Sequence, residues 1–161
     1  MLITLKGVIE EDTVNYKKIS MVLEFPKCSF KCDKECGSQV CQNSPLASAQ
    51  NIKIEHDILI HRYLTNPITE AIVCQGLEPF DSWDELRNLI LFIREDKQCN
   101  DDIVIYTGYN KEEVQDKIKL LQKWKNIIVK FGRYIPDQES HYDEILGVTL
   151  ASDNQYAERV S

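Results

Sequence analysis

Ala71-Ile72-Val73-Cys74-Gln75-Gly76-Leu77-Glu78-Pro79 opens on four apolar residues and closes on a glycine, an acid and a proline. A run this short and wholly apolar is the kind that a parallel sheet buries on both faces. The glycine and proline beyond it end the strand and begin a loop. Working outward, the same form recurs twice downstream. Ile103-Val104-Ile105-Tyr106 runs into Thr107-Gly108-Tyr109, and Ile127-Ile128-Val129-Lys130-Phe131 runs into Gly132-Arg133-Tyr134. Upstream, Ile19-Ser20-Met21-Val22-Leu23-Glu24 predicts another strand, stopped by Pro26 because proline cannot donate to a ladder.

Helical patterns fill the gaps. Ser82-Trp83-Asp84-Glu85 has the form of a capping box with Ser82 as N-cap, and Trp83, Leu86, Leu89, Ile90 and Ile93 follow at helical spacing. Asn110 with Glu113 caps a further helix whose stripe is Val114, Ile118 and Leu121. Residues Ile54 to Leu64 predict a helix with Ile54, Ile58 and His61 on one side, stopped by Asn66-Pro67. His56 and His61 on it read as satisfied core or surface histidines. Strands alternating with helices over short connections make an α/β chain with βαβ units around a parallel sheet. Leu2 to Ile9 predicts an edge strand or hairpin arm, residues 137–144 a polar surface excursion, and Ile145 to Leu150 a last strand.

In such a sheet the loops after the strands share the C-terminal edge, where ligands bind. Gly76, Gly108 and Gly132 each stand at or just beyond a strand end. Glycine there permits a positive φ or a close approach of backbone, either for a tight turn or for a ligand over the edge.

The remaining bulk properties narrow the function. The 161 residues fit one domain spanning 1–161, and 28 % charged with 43 % hydrophobic residues is ordinary globular composition. A net charge of −7, with lysines interleaved among acids, argues against binding nucleic acid through its phosphates. No run approaches the roughly 18 apolar residues of a membrane span, and Met1 to Asp12 lacks the pattern of a secretory leader. The expectation is a cytoplasmic protein without a membrane or nucleic-acid partner.

In a reducing compartment, clustered cysteines are more often metal ligands or catalytic groups than disulfides. Of six cysteines, Cys28, Cys32, Cys36 and Cys41 fall within fourteen positions, with gaps of three, three and four residues. Cys74 and Cys99 stand alone and read as buried apolar residues. Four thiolates suit a structural zinc, although zinc sites usually split paired cysteines between two knuckles. Three thiolates would leave one iron of a 4Fe-4S cluster open to an exogenous ligand. Both alternatives stand on the residues alone.

Taken together, these segments resemble the radical S-adenosylmethionine (radical SAM) enzymes. Cys28-x3-Cys32 with a later cysteine is similar to their CxxxCxxC loop, and Gln75-Gly76-Leu77-Glu78-Pro79 to their GGEP motif. Within that superfamily the chain most resembles the activating proteins of anaerobic ribonucleoside-triphosphate reductase. Cys41-Gln42-Asn43 is similar to the end of that family's cluster loop, Tyr106-Thr107-Gly108-Tyr109 to its YTGY, and Ser152-Asp153-Asn154-Gln155 to its Ser-x-Asn-Gln. With Cys41 as third ligand the loop is CxxxC-x8-C, six residues longer than usual, and with Cys36 it is one residue longer. Val40 stands where the family has an aromatic, and Leu77 where it has a second glycine.

The resemblance implies a partial (β/α) barrel of mainly parallel strands. It implies a 4Fe-4S cluster on Cys28, Cys32 and Cys41, with Cys36 as the alternative third ligand. S-adenosylmethionine would lie against Gly76, Leu77 and Glu78, the last meeting its methionyl ammonium. Thr107, Tyr109, Arg133 and Asn154 are implied as further contacts, with an ion pair as the alternative role for Arg133. The implied activity is reductive cleavage of S-adenosylmethionine to a 5′-deoxyadenosyl radical, which abstracts hydrogen from a glycine of the partner. The implied partners are the large subunit of anaerobic ribonucleoside-triphosphate reductase and an electron donor such as flavodoxin. The alternatives are a radical SAM protein with another partner and a non-catalytic zinc- or cluster-binding module that recruits a protein.

Overall fold

Apolar residues on both parities of four strands build the central sheet. The computed structural model describes residues 1–28, 46 and 48–161. Its strands are β1 (Leu2–Leu5), β2 (Gly7–Asp12), β3 (Ser20–Phe25), β4 (Ile52–Glu55), β5 (Ala71–Gly76), β6 (Asp102–Tyr106), β7 (Ile127–Phe131), β8 (His141–Asp143), β9 (Val148–Leu150) and β10 (Tyr156–Arg159). Its described helices are α1 (His56–Thr65), α2 (Trp83–Leu91) and α3 (Gln115–Leu121). A mixed six-stranded sheet has the order β10-β7-β6-β5-β3-β2. The inner four strands are parallel, and β2 and β10 add antiparallel edges. The protein is thus mixed α/β with a mostly parallel central sheet, while β1–β4 and β8–β9 form separate two-stranded ribbons.

Strand alternation divides the core in two. Met21, Leu23, Phe25, Ile72, Cys74, Ile103, Ile105, Ile127, Val129 and Phe131 pack with Leu59, Ile60 and Tyr63 of α1, Leu86, Leu89 and Ile90 of α2, and Ile118 and Leu121 of α3. Among the described residues the opposite parity, Val22, Val73, Val104 and Ile128, packs with Tyr16, Leu146, Leu150 and Ala157 from irregular chain, β9 and β10. Further along this second face toward the C-terminal ends the apolar residues give way to Tyr106 and Lys130, which are register partners. Among the described residues the apolar cover stops there, and a cavity begins.

At the other end of the same face Asp102 gathers the chain. Its carboxylate accepts from the Tyr16 hydroxyl at 2.7 Å and pairs with Lys18 at 3.0 Å and Arg159 at 3.5 Å. Burial would raise its pKa, but the hydrogen bonds from Tyr16 and Lys18 and the neighbouring positive charges hold it below the ordinary aspartate value. Beneath α2, a π-helical turn at Phe92–Asp96 carries the buried Arg94. The Arg94 guanidinium donates to the carbonyls of Lys125, Cys99, Asp101 and Asn126 at 2.7–3.4 Å. One side chain thereby closes the two loops that enter β6 and β7.

Several expectations are corrected. The helix expected from Ile54 begins at His56, because Ile54 pairs with Ile3 in the β1–β4 ribbon. His56, Leu59, Ile60 and Tyr63 face inward, and Ile58 is 58 % exposed. His61 is exposed. His56 is buried against Phe92, with no hydrogen-bond partner for Nε2 among the described residues. Ser82 does not cap α2 through its side chain. It ends a 3-10 turn at Pro79–Ser82, and Glu85 accepts instead from the Thr4 amide at 2.6 Å. The Asn110–Glu113 box forms, with the Asn110 amide donating to Glu113 at 2.9 Å, although its first turn is 3-10 and the α-helix starts at Gln115. Ile145 and Leu146 lie in a turn held by Asp143, whose carboxylate accepts from the Leu146 amide. Only Val148–Leu150 is strand there, paired with β8, and the last strand is β10.

Cys74 is buried as expected, and burial pushes its thiol up to about 12. Cys99 is half-buried. Among the described residues no helix is long and apolar enough to cross a membrane.

Candidate functional site

Parallel register brings three loops and one cysteine to one edge. A cavity of about 350 Å³ opens at the C-terminal ends of β3, β5, β6 and β7. Cys28 stands at its mouth after β3, Gly76 to Glu78 after β5, Thr107 to Tyr109 after β6, and Gly132 to Tyr134 after β7. Lys130, Tyr106 and Gln155 line it as well, with Val14, Asn15 and residues 148–151. Its volume falls in the range of about 300–1,000 Å³ usual for small-molecule sites.

The close approach of β3 and β5 sets the geometry. Gly76 faces Phe25 across the ladder with φ +94°. A Cβ there would fall 2.6 Å from the Phe25 nitrogen and 2.8 Å from the Glu24 Cα. Glycine is required at this position by the neighbouring backbone itself. The contact continues outward, since the Leu77 amide donates to the Phe25 carbonyl at 3.1 Å and the Glu78 amide to the Lys27 carbonyl at 2.7 Å. Cys28 and Glu78 are therefore held on adjacent, hydrogen-bonded chain ends. Gly108 has no positive φ, whereas Gly132 does, at +103°.

Glu78 is buried in the cavity wall, at 5 % exposure. One oxygen accepts from the Thr107 hydroxyl at 3.0 Å and the Gly108 amide at 2.8 Å, and the other from the Phe80 amide at 3.1 Å. Burial raises its pKa to about 7, against the pull of those three hydrogen bonds. Thr107 in turn accepts from the Tyr109 amide at 3.0 Å, so its hydroxyl is oriented toward Glu78. Tyr109 hydrogen-bonds to Asp81 at 2.6 Å and lies under the Arg133 guanidinium. Arg133 is buried and pairs with Glu113 at 2.7 Å.

Of the site residues expected from sequence, Cys28, Gly76, Leu77, Glu78, Thr107, Tyr109 and Arg133 line this one cavity. Asn154 stands behind its wall, where its amide donates to the Arg133 carbonyl at 2.9 Å and accepts from the Ser152 hydroxyl at 2.7 Å. Cys32, Cys36 and Cys41 lie outside the described residues, as does Cys41-Gln42-Asn43. Among the described residues no group of three or more histidines, cysteines and acids is placed to hold a metal.

Lys130 is among the lining residues that were not expected at the site. It is 7 % exposed, with Nζ 2.9 Å from the Gly132 carbonyl and 5.8 Å from the Tyr106 ring centroid. A lysine inside Ile127-Ile128-Val129-Lys130-Phe131 is itself a signal, because lysine is almost never buried without dedicated partners.

Comparison with known families gives a match to the 4Fe-4S single cluster domain over residues 18–155. No curated protein matches the chain. The matched span begins just before β3 and ends at Gln155, so it takes in the cysteine loop and every strand end that lines the cavity.

Proposed function

The chain belongs to the 4Fe-4S single cluster domain family, and we propose that within it the protein is a radical SAM activase. It would bind its cluster through Cys28, Cys32 and Cys41 and generate a glycyl radical on the large subunit of anaerobic ribonucleoside-triphosphate reductase. A partial (β/α) barrel, a cytoplasmic location and a flavodoxin-like electron donor belong to the same proposal. The observation that carries it is the joining of two motifs. Cys28 lines the cavity of Glu78, and the Glu78 amide is bonded to the residue before that cysteine.

The described residues fit the two groups. Cys28 presents a thiol at the cavity mouth, and a thiolate is what an iron–sulfur cluster takes. When bound, the cluster and S-adenosylmethionine supply the one-electron cleavage of a sulfonium. A carboxylate offers about four acceptor positions, and three on Glu78 are occupied by its own loops. The fourth suits the ammonium of an amino acid. Thr107 and the Gly108 amide hold the carboxylate in place for it, and its burial excludes water from the contact.

Anaerobic reconstitution with iron and sulfide, followed by dithionite and S-adenosylmethionine, tests the proposal. The expected product is 5′-deoxyadenosine, formed by the wild type and lost in Cys28→Ala. Purification with four-thiolate zinc and no reductive cleavage would instead establish the non-catalytic module.

A further inference from the structure

Ser152-Asp153-Asn154-Gln155 follows β9 and leads the chain back to the cavity wall. Gln155 is 7 % exposed, and all of its polar groups are engaged. Its backbone amide donates to the Ser152 carbonyl at 3.2 Å, and its carbonyl meets His141 Nε2 at 2.7 Å. In the side chain, Oε1 accepts from the Ser152 amide at 3.1 Å, and Nε2 donates to the Gly132 carbonyl at 3.3 Å. The same Gly132 carbonyl accepts from Lys130 Nζ at 2.9 Å. A carbonyl oxygen has two lone pairs, so one is taken by the neutral amide and one by the ammonium.

We propose that Gln155 is a positioning residue that, by holding the Gly132 carbonyl, fixes the Lys130 ammonium on the wall of the cavity. Lysine ends a flexible stem with about 2 kcal/mol of rotamer entropy, and a buried ammonium stays where its acceptors are, here the Gly132 carbonyl at 2.9 Å and, more distantly, the Thr107 carbonyl at 3.5 Å. Gly132 sits at φ +103°, and a Cβ on it would come within 3.1–3.2 Å of Asn154 and Gln155. The turn therefore packs directly on the peptide that carries the acceptor. His141 ties β8 to the same turn through Gln155, so the cation's anchor is braced from two sides. The placement concerns the cavity rather than its ligand, and it rests on the proposed function only for the second readout below.

The first readout is acetylation of the full chain with acetic anhydride, followed lysine by lysine by mass spectrometry. Gln155→Leu removes both side-chain hydrogen bonds at similar volume. Lys130 should then react roughly tenfold faster, the factor expected for a lost buried hydrogen bond, while Lys53, Lys119 and Lys123 keep their rates. An unchanged Lys130, or an equal rise at every lysine, overturns the proposal for that variant. Where Gln155→Leu does not fold, Gln155→Met is read in the same way. It loses both side-chain hydrogen bonds without adding a charge beside the ammonium, and a wild-type rate at Lys130 there overturns the proposal. The second readout is calorimetric affinity of the reconstituted protein for S-adenosylmethionine. Gln155→Leu should weaken binding in the Lys130 background and leave it unchanged in a Lys130→Met background, whereas equal weakening in both refutes action through Lys130. A wild type that does not bind S-adenosylmethionine refutes the proposed function, and the acetylation rates then decide the role of Gln155.

Discussion

Gly76→Ala probes the contact that brings the two motifs together. Two costs arise from the backbone at this position. A non-glycine residue at φ +94° is held in a sparsely populated conformation, a cost of about 1–3 kcal/mol. The added methyl would also meet the Phe25 nitrogen at 2.6 Å and the Glu24 Cα and carbonyl carbon at 2.8 and 2.9 Å. Those atoms belong to the paired strand β3 and cannot swing aside as a side chain can. Overpacking of this kind costs about 1–3 kcal/mol. A loss near 3 kcal/mol is expected, with β3 and β5 pushed apart at their C-terminal ends. Urea denaturation followed by circular dichroism measures the loss, and iron retained after reconstitution measures the displacement of Cys28. A variant within about 0.5 kcal/mol of wild type that also keeps its iron would refute the argument that this contact sets the site.

Glu78 predicts a pH dependence. Its pKa is raised from 4.5 to about 7 in the folded state, so the native protein binds the proton more tightly than the unfolded chain does. Stability from this group is present below 4.5 and is lost as pH rises toward 7, by about 3 kcal/mol at about 1.4 kcal/mol per pH unit. Glu78→Gln should flatten that slope in denaturation curves recorded from pH 5 to 8, and a slope equal to wild type would sink the assignment. Arg94→Met should lower stability by about 3 kcal/mol, because one charged group satisfies four carbonyls; a melting temperature equal to wild type would contradict this. Cys41→Ala should lose most of the reconstituted iron while Cys36→Ala keeps much of it, and the reverse result would make Cys36 the third ligand.

The central strands were legible because their signal is composition: β5, β6 and β7 are apolar on both parities, and no tertiary contact is needed to recognise that. The Asn110–Glu113 box was legible because both partners are local. Ser82 and Glu85 carry the same pattern, but the amide of Thr4, 81 positions away in sequence, takes the Glu85 carboxylate. Sequence spacing cannot register such a competitor. Strand β10 escaped for a different reason. Of Tyr156-Ala157-Glu158-Arg159 only Ala157 is buried, and the segment is a strand because β7 offers it a free edge. The face of α1 was misjudged because Ile54, taken as its first buried position, pairs with Ile3 in a strand, and the stripe that is buried runs through His56, Leu59, Ile60 and Tyr63.

The site shows the same division. Glu78, Thr107, Tyr109 and Arg133 were expected on loops that share the C-terminal edge of a parallel sheet, and the observed register brings them to one cavity. What could not be read was how they serve one another: Thr107 orients Glu78, Tyr109 orients Thr107, and Asn154 braces the Arg133 backbone. Lys130 was visible as a letter out of place in an apolar strand, but its burial follows from the tertiary cover of the second face and from the carbonyls of Thr107 and Gly132 that its ammonium reaches.

Electron paramagnetic resonance of the dithionite-reduced, reconstituted chain tests the central claim most directly, recorded with and without S-adenosylmethionine. About four irons per chain are expected. Addition of S-adenosylmethionine should shift the signal of the reduced cluster, and the shift should be lost or weakened in Glu78→Ala with the iron retained. A cluster signal indifferent to S-adenosylmethionine, or a protein that takes up zinc and no iron, would contradict it.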